Sequence, residues 1–380
     1  MRALRTLRRG GFSVVGLAAL LVGGAAHAQA GPDLTAYAQT GLIPFLPSSQ
    51  QPFEAPPKVA LRLEGPLGAF QPHPVVMDTG STGVVVSAAD LPGYSAAKAA
   101  AYPAGWEFLS SSKRLWVGHW VPTTIVYADA AGGEAARAQV PVLIVETAMK
   151  CPGYDTKTSP GTCAAPTETV DLPRGIAYMG VGFGRERNGQ TQGTPDKNPL
   201  LNLTALAGKP ISAKGFRKGY VITPDGARVG LTAQAAAGFR FVKLDARPGG
   251  GPLDWGQAPM TVAAGDQPAQ AGALLIDTGI ATMYLGVADP AALKTHTETN
   301  QNAKTPSKVL DDGQTVTVTV PTAPATTFAF TVGQGDPIAP SQVLVNSPMT
   351  KAFVNTGRHA LRRYDVLFDA DGGWFGLRER

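Results

Sequence analysis

The sequence predicts a mainly β chain built as two related β-rich lobes, and three observations carry that expectation. The nine residues Val75-Val76-Met77-Asp78-Thr79-Gly80-Ser81-Thr82-Gly83 have a counterpart 199 positions later, Leu274-Leu275-Ile276-Asp277-Thr278-Gly279-Ile280-Ala281-Thr282. The 45 glycines and 32 prolines favour many turns and short strands over long helices. The 380 residues are enough for two lobes, each with a sizeable core.

Each copy of the repeat reads as a short buried strand that ends in an acid and turns sharply. The apolar triplet cannot leave the core, so it carries the carboxylate to the strand's end and holds it there. Threonine can hydrogen-bond locally, and glycine permits a close backbone approach. A single Asp-Thr-Gly would be read as a hairpin turn; two copies, each behind three apolar residues, demand more. The pair resembles the two active-site loops of the pepsin-like aspartic peptidases, exported bacterial members included, in which each lobe contributes one catalytic aspartate to a cleft between the lobes.

Taken from the N-terminus, Arg2, Arg5, Arg8 and Arg9 precede the apolar run Phe12 to Val22, and Ala26-His27-Ala28 supplies a small-x-small cleavage signal. Residues 1–28 are therefore expected to be a secretory signal peptide, which places the mature protein in the periplasm or outside the cell. Removing those four arginines takes the formal charge from +5 to +1, so the basic balance is no argument for a nucleic-acid partner. No later apolar run is long enough to span a bilayer, and no membrane anchor is expected once the leader is gone.

Residues 29–57 are rich in Pro, Gln and Ala and read as an extended lead-in, with one edge strand at Leu42 to Leu46. Only 49 residues separate Gln29 from Asp78, which leaves little room for an inhibitory prosegment. A first lobe over 58–235 and a second over 236–380 follow from the spacing of the two repeats. Val59 to Leu63 alternates as a half-buried strand, Thr82 to Ser87 is β-branched, and Ala88 to Ala101 fits a short helix or loop.

Trp106 to Val121 has the place of the hairpin that covers the cleft in the resembling family, with its turn at Ser110 to Arg114. Neither the tyrosine nor the glycines usual there stand at the expected place. Trp116 either substitutes for the tyrosine or is buried beneath the hairpin, the simpler reading. Further strands fit Ile125 to Tyr127 and Val140 to Val145.

The chain's two cysteines, Cys151 and Cys163, flank a segment with Pro152-Gly153 and Pro160-Gly161 turns. Export permits a disulfide, and no further Cys or nearby His completes a metal site, so a bridge is expected. Gly175 to Gly182 resembles the family's element that crosses beneath the catalytic loop, and glycines at 180, 182 and 184 argue for close backbone packing.

Asn198 to Ala207 has the spacing of a short helix, Gly219 to Leu231 reads as a hairpin, and Phe239 to Leu244 opens the second lobe. Ala288 to Thr297 reads as helical, and Asp312-Gly313 as a hairpin turn before Val316 to Val320. The segment Gly357 to Asp369 with Gly376-Leu377 resembles the family's closing helix, strand and hairpin. Asn355-Thr356 stands where two apolar residues are usual.

The resemblance implies specific roles. Asp78 and Asp277 would share a proton and activate a water against a peptide carbonyl. Thr79 and Thr278 would bond across the lobe interface, and Gly80 and Gly279 would bring backbone N–H groups to the carboxylates. Ser81 matches the hydroxyl that supports the first aspartate; its counterpart Ile280 cannot donate. The implied activity is an aspartic endopeptidase without metal or cofactor, acting as a monomer on protein or peptide in an extended conformation.

Other chemistries lack their motifs. The histidines show no metal-ligand spacing, no Gly-x-Ser-x-Gly elbow or phosphate loop occurs, and Asp369 to Gly372 lacks the later oxygen ligands of a calcium loop. The competing expectation is a non-catalytic binding or inhibitor protein of the same fold, for which the altered flap and Ile280 argue.

Overall fold

The computed structural model describes residues 31–48, 50–185 and 190–380; the expected signal peptide lies outside them. The regular structure of the described chain is almost entirely strand, arranged in sheets of ten, nine and six strands. Among the described residues no helix is long and apolar enough to cross a membrane.

The two larger sheets repeat one design. In the first, neighbouring strands run Glu134–Lys150, Thr82–Ser87, Ala177–Val181, Gly68–Asp78, Lys58–Gly65 and Arg114–Ala128. In the second, the order is Val343–Val345, Met283–Gly286, Ala352–Asn355, Gln270–Leu275, Ala258–Ala264 and Thr315–Val320. Strand senses match as well. Each strand that leads into an aspartate pairs in parallel with a later crossing strand, Val76 opposite Tyr178 in one sheet and Leu274 opposite Val354 in the other. That crossing strand pairs antiparallel with the strand that leaves the turn. The acidic turn is thus clamped on both sides in each lobe, by backbone hydrogen bonds that leave its carboxylate no route back into the core.

Burial explains why the turns sit where they do. Val75 and Met77 are fully buried, as are Val84 and Val86 beyond the turn, and Leu274, Leu275 and Ile276 are buried behind the second aspartate. Sequence distance is bridged by the third sheet, which takes Gly41–Pro44, Gly219–Thr223 and Gly226–Val229 from before residue 235 and Arg240–Lys243, Tyr364–Asp369 and Trp374–Glu379 from after it. Arg217 clamps that sheet through two 2.9 Å bonds to the fully buried Asp369 carboxylate. The Asp369–Gly372 turn is therefore committed to an ion pair.

Four expectations about local structure fail. Asn198 to Ala207 is no helix: Asn198 bonds the Leu200 N–H and the Val181 carbonyl, and Leu203–Leu206 is a strand between Ala136 to Ala138 and Lys209–Pro210. Ala288 to Thr297 holds only a 3-10 turn at Pro290–Ala292 before strand Thr295–Thr299. Gly313 does turn with positive φ, but the strands around it do not pair, because Thr315–Val320 is flanked on both sides by Ala258–Ala264 and Thr326–Thr331. The closing helix is likewise a 3-10 turn, His359–Arg362.

Candidate active site

Asp78 and Asp277 meet between the two large sheets, 3% and 6% exposed. Thr79 N–H donates to Thr278 Oγ1 at 3.0 Å, and Thr278 N–H to Thr79 Oγ1 at 3.1 Å. Each threonine hydroxyl then donates onward into the opposite strand, Thr79 to the Ile276 carbonyl at 2.5 Å and Thr278 to the Met77 carbonyl at 2.7 Å. Four buried bonds thus hold the loops level, and a β-branched side chain with one hydroxyl suits each position because it both accepts and donates.

The glycines set how closely the acids approach. Gly80 N–H donates to Asp78 Oδ1 at 2.7 Å and Gly279 N–H to Asp277 Oδ1 at 2.9 Å. A Cβ on Gly80 would lie 2.4 Å from Asp277 Oδ2, and one on Gly279 2.6 Å from Asp78 Oδ1. Each carboxylate therefore rests on the other loop's glycine. The second oxygens have side-chain donors: Tyr178 hydroxyl to Asp78 Oδ2 at 2.6 Å and Asn355 Nδ2 to Asp277 Oδ2 at 2.7 Å.

Burial pushes the Asp277 carboxyl well above the usual range, and the Asp78 charge and a hydrogen bond shared with Asp78 act the same way. Asn355 and the Arg185 charge oppose the rise. Such a pair holds one proton in common and titrates as a unit.

Ser81 departs from its expected role. Its hydroxyl is buried, has no hydrogen-bond partner and lies towards Gly180, where a Cβ would come within 2.6 Å of it. Tyr178 supplies the donor to Asp78 instead. In the other lobe, Asn355 supplies the donor that Ile280 lacks. Tyr178 stands on the crossing strand Ala177–Val181, and Asn355 ends the equivalent strand Ala352–Asn355, so the two supports occupy related strands. Close packing explains the crossing strand's glycines: a Cβ on Gly180 would meet Thr82 N at 2.5 Å.

A cavity of about 340 Å³ opens over the pair, lined among others by Tyr178, Arg185, Ile280, Tyr284 and Asn355 and roofed by Ser110, Ser111 and Lys113 of a hairpin tip. That hairpin joins Ala104–Leu109 to Arg114–Ala128. Trp116 does not reach the cavity; it is buried, edge-on to the Tyr178 ring at 5.8 Å. Glu107, on the outgoing strand, is 3% exposed, and burial reinforced by the Asp78 charge pushes its carboxyl up to about 8.

Cys151 and Cys163 are bridged, with Cα atoms 6.0 Å apart. The bridged loop braces the hairpin: Cys151 N–H donates to the Lys113 carbonyl at 2.7 Å, and Tyr154 stacks obliquely on Phe108 at 4.6 Å.

Tyr178, Arg185 and Glu107 were not marked as site residues by sequence pattern. Asn355 carried a signal, as a polar residue where an apolar one is usual.

No protein-family model and no curated protein matches the chain. Among solved structures, it is similar to the aspartic proteinase from Irpex lacteus, at 13% identity and a TM-score of 0.49, over 90% of this chain and 97% of that one. By its duplicated strand order, with one aspartate at the end of each central strand, the chain has a mainly β, bilobal pepsin-like fold.

Proposed function

We propose that the chain is an exported aspartic endopeptidase, its lobes spanning 58–235 and 236–380, that hydrolyses protein or peptide chains bound extended in the cleft. The observation that carries this reading is the seating of each carboxylate on the opposite loop's glycine, which brings Asp78 and Asp277 together in a buried pair.

Two carboxylates sharing one proton supply both halves of the chemistry. The ionised member takes a proton from a water that attacks the peptide carbonyl carbon. The protonated member donates to the carbonyl oxygen, so that a neutral gem-diol forms without a covalent enzyme adduct. One member of the pair holds the shared proton and the other acts as the base, Asp78 being held by Tyr178 and Gly80 and Asp277 by Asn355 and Gly279. The member that took the water's proton then donates it to the leaving nitrogen as the C–N bond breaks, while a gem-diol hydroxyl returns a proton to the other member, which releases acid and amine and restores the pair. Neutral Glu107 adds no further negative charge beside Asp78 near pH 7.

A second reading, a non-catalytic binding protein, draws on the braced hairpin. Its tip is tied to the bridged loop and to the second lobe, where Tyr284 hydroxyl donates to the Ser111 carbonyl at 3.3 Å. A substrate chain has to displace the latter bond.

The test is incubation of the mature protein with unfolded casein across about pH 3–7, with and without a statine-type transition-state mimic. Statine-sensitive cleavage supports the peptidase; tight mimic binding without cleavage supports the binder.

A further inference from the structure

Arg185 is a charge that the two-aspartate chemistry does not use. The crossing strand Ala177–Val181 ends just before it, and Gly184 turns the chain there with φ +63°. That conformation favours glycine, and a Cβ on Gly184 would in any case meet Gln257 N at 2.9 Å. The arginine stem is fixed against the same segment, since a Cβ on Gly182 would lie 2.8 Å from Arg185 Cγ.

The side chain lines the cavity over the pair yet is only 4% exposed. Its Nε and Nη1 are buried without a hydrogen-bond partner among the described residues. Asp277, Asp78 and Glu107 all act on it through space, and burial still holds its pKa below the usual arginine value. No ion pair joins it to any of the three among the described residues.

A buried guanidinium with unused donors is costly unless something pairs with it. The flat fork matches a carboxylate through two parallel hydrogen bonds, a geometry that neither water nor an amide reproduces. The charge balance of the cleft favours the same partner. The pair with its shared proton carries one negative charge, Glu107 is neutral near pH 7, and Lys113 at the hairpin tip adds a second cation to Arg185 at the cavity wall. One more carboxylate brings the site to neutrality.

We propose that Arg185 receives a carboxylate of the substrate, so that the cleft selects peptides with an aspartate or glutamate side chain beside the scissile bond. This rests on the peptidase reading above and adds the substrate class to it.

The test uses the mature chain and peptides identical except for Glu, Gln or Leu on either side of one cleavable bond. Assays run at about pH 6, where a peptide glutamate is ionised. The expected result is a kcat/KM at least about tenfold higher for a Glu peptide than for its Gln twin. Arg185→Met should bring that ratio close to one, whatever its absolute rate, and Arg185→Lys should leave an intermediate ratio. Should Arg185→Met fail to fold, the Glu-to-Gln ratios of wild type and Arg185→Lys decide.

Wild type that cleaves Gln or Leu peptides as well as Glu peptides overturns the inference and leaves the peptidase reading intact. So does a ratio that is unchanged in the Arg185 variants. If wild type cleaves nothing, the peptidase reading fails, and fluorescence anisotropy with the same peptides judges Arg185 alone. Tighter binding of the Glu peptide, lost in Arg185→Met, upholds the carboxylate site; equal binding of Glu and Gln peptides removes it.

Discussion

Gly80→Ala tests the geometry of the acid pair without touching either acid. Gly80 does not have positive φ, so alanine is acceptable to the backbone, and the perturbation is one methyl group. That methyl would sit 2.4 Å from Asp277 Oδ2 and 2.5 Å from Asp277 Cγ. Ordinary carbon–oxygen contact needs roughly 1 Å more, so the Asp277 carboxylate or the Gly80 loop must retreat by about that amount. Four threonine bonds resist movement of the loop, which leaves the carboxylate to swing away from Asp78. A misplacement of about 1 Å at a reacting group costs on the order of a hundredfold in rate.

The pH profile adds a second readout. Asp78 is one of the causes that raise Asp277, so separating the two lowers the Asp277 pKa and loses the shared proton earlier as pH rises. The basic limb of kcat/KM should therefore move to lower pH. The assay is kcat/KM against pH on one peptide, beside thermal melts showing that the variant folds. A folded Gly80→Ala protein with wild-type kcat/KM and an unmoved basic limb would refute the crossed seating of carboxylates on glycines.

Tyr178→Phe keeps the ring against Trp116 but deletes the 2.6 Å donor to Asp78; kcat/KM should fall at least about tenfold and the acidic limb move to higher pH, because the ionised pair loses a charge-assisted bond. Asn355→Leu removes the donation that opposes the raised Asp277 pKa, so the basic limb should move to higher pH, opposite in sign to Gly80→Ala; an unmoved limb would show that Asn355 does not tune the pair. Thiol labelling of unreduced, denatured protein should find no free cysteine, and Cys163→Ser should cost about 3 kcal/mol in denaturant unfolding, given the 12-residue separation of the bridge.

The fold was legible wherever local pattern and burial coincide. Val75 to Asp78 and Leu274 to Asp277 announced their strands because an apolar triplet can only go inward, and the hairpin turn expected at Ser110 to Arg114 from the family's flap falls at Ser110 to Lys113. Leu203–Leu206 was misread as helical because its spacing suits either element; only an open edge at Ala136 to Ala138 decides for a strand. The same limit hid Tyr178. Its neighbours signalled tight backbone packing, but its hydroxyl meets Asp78 through a parallel register with Val76 that no local pattern encodes. Glu107 looked like an ordinary strand residue, and Arg185 lay beyond the crossing strand with no motif of its own. Ser81 illustrates the opposite error, a position matched by resemblance whose hydroxyl faces Gly180 rather than the acid.

The central claim is that Asp78 and Asp277 act together as one proton-sharing hydrolytic unit. Asp78→Asn and Asp277→Asn alter one atom type each at sites 3% and 6% exposed, with the threonine bonds that join the loops untouched. The direct measurement is single-turnover cleavage of one peptide by wild type and both variants, each shown to be folded by its melting curve. The account predicts cleavage by wild type and none above background by either variant. Undiminished cleavage by either folded variant would contradict it.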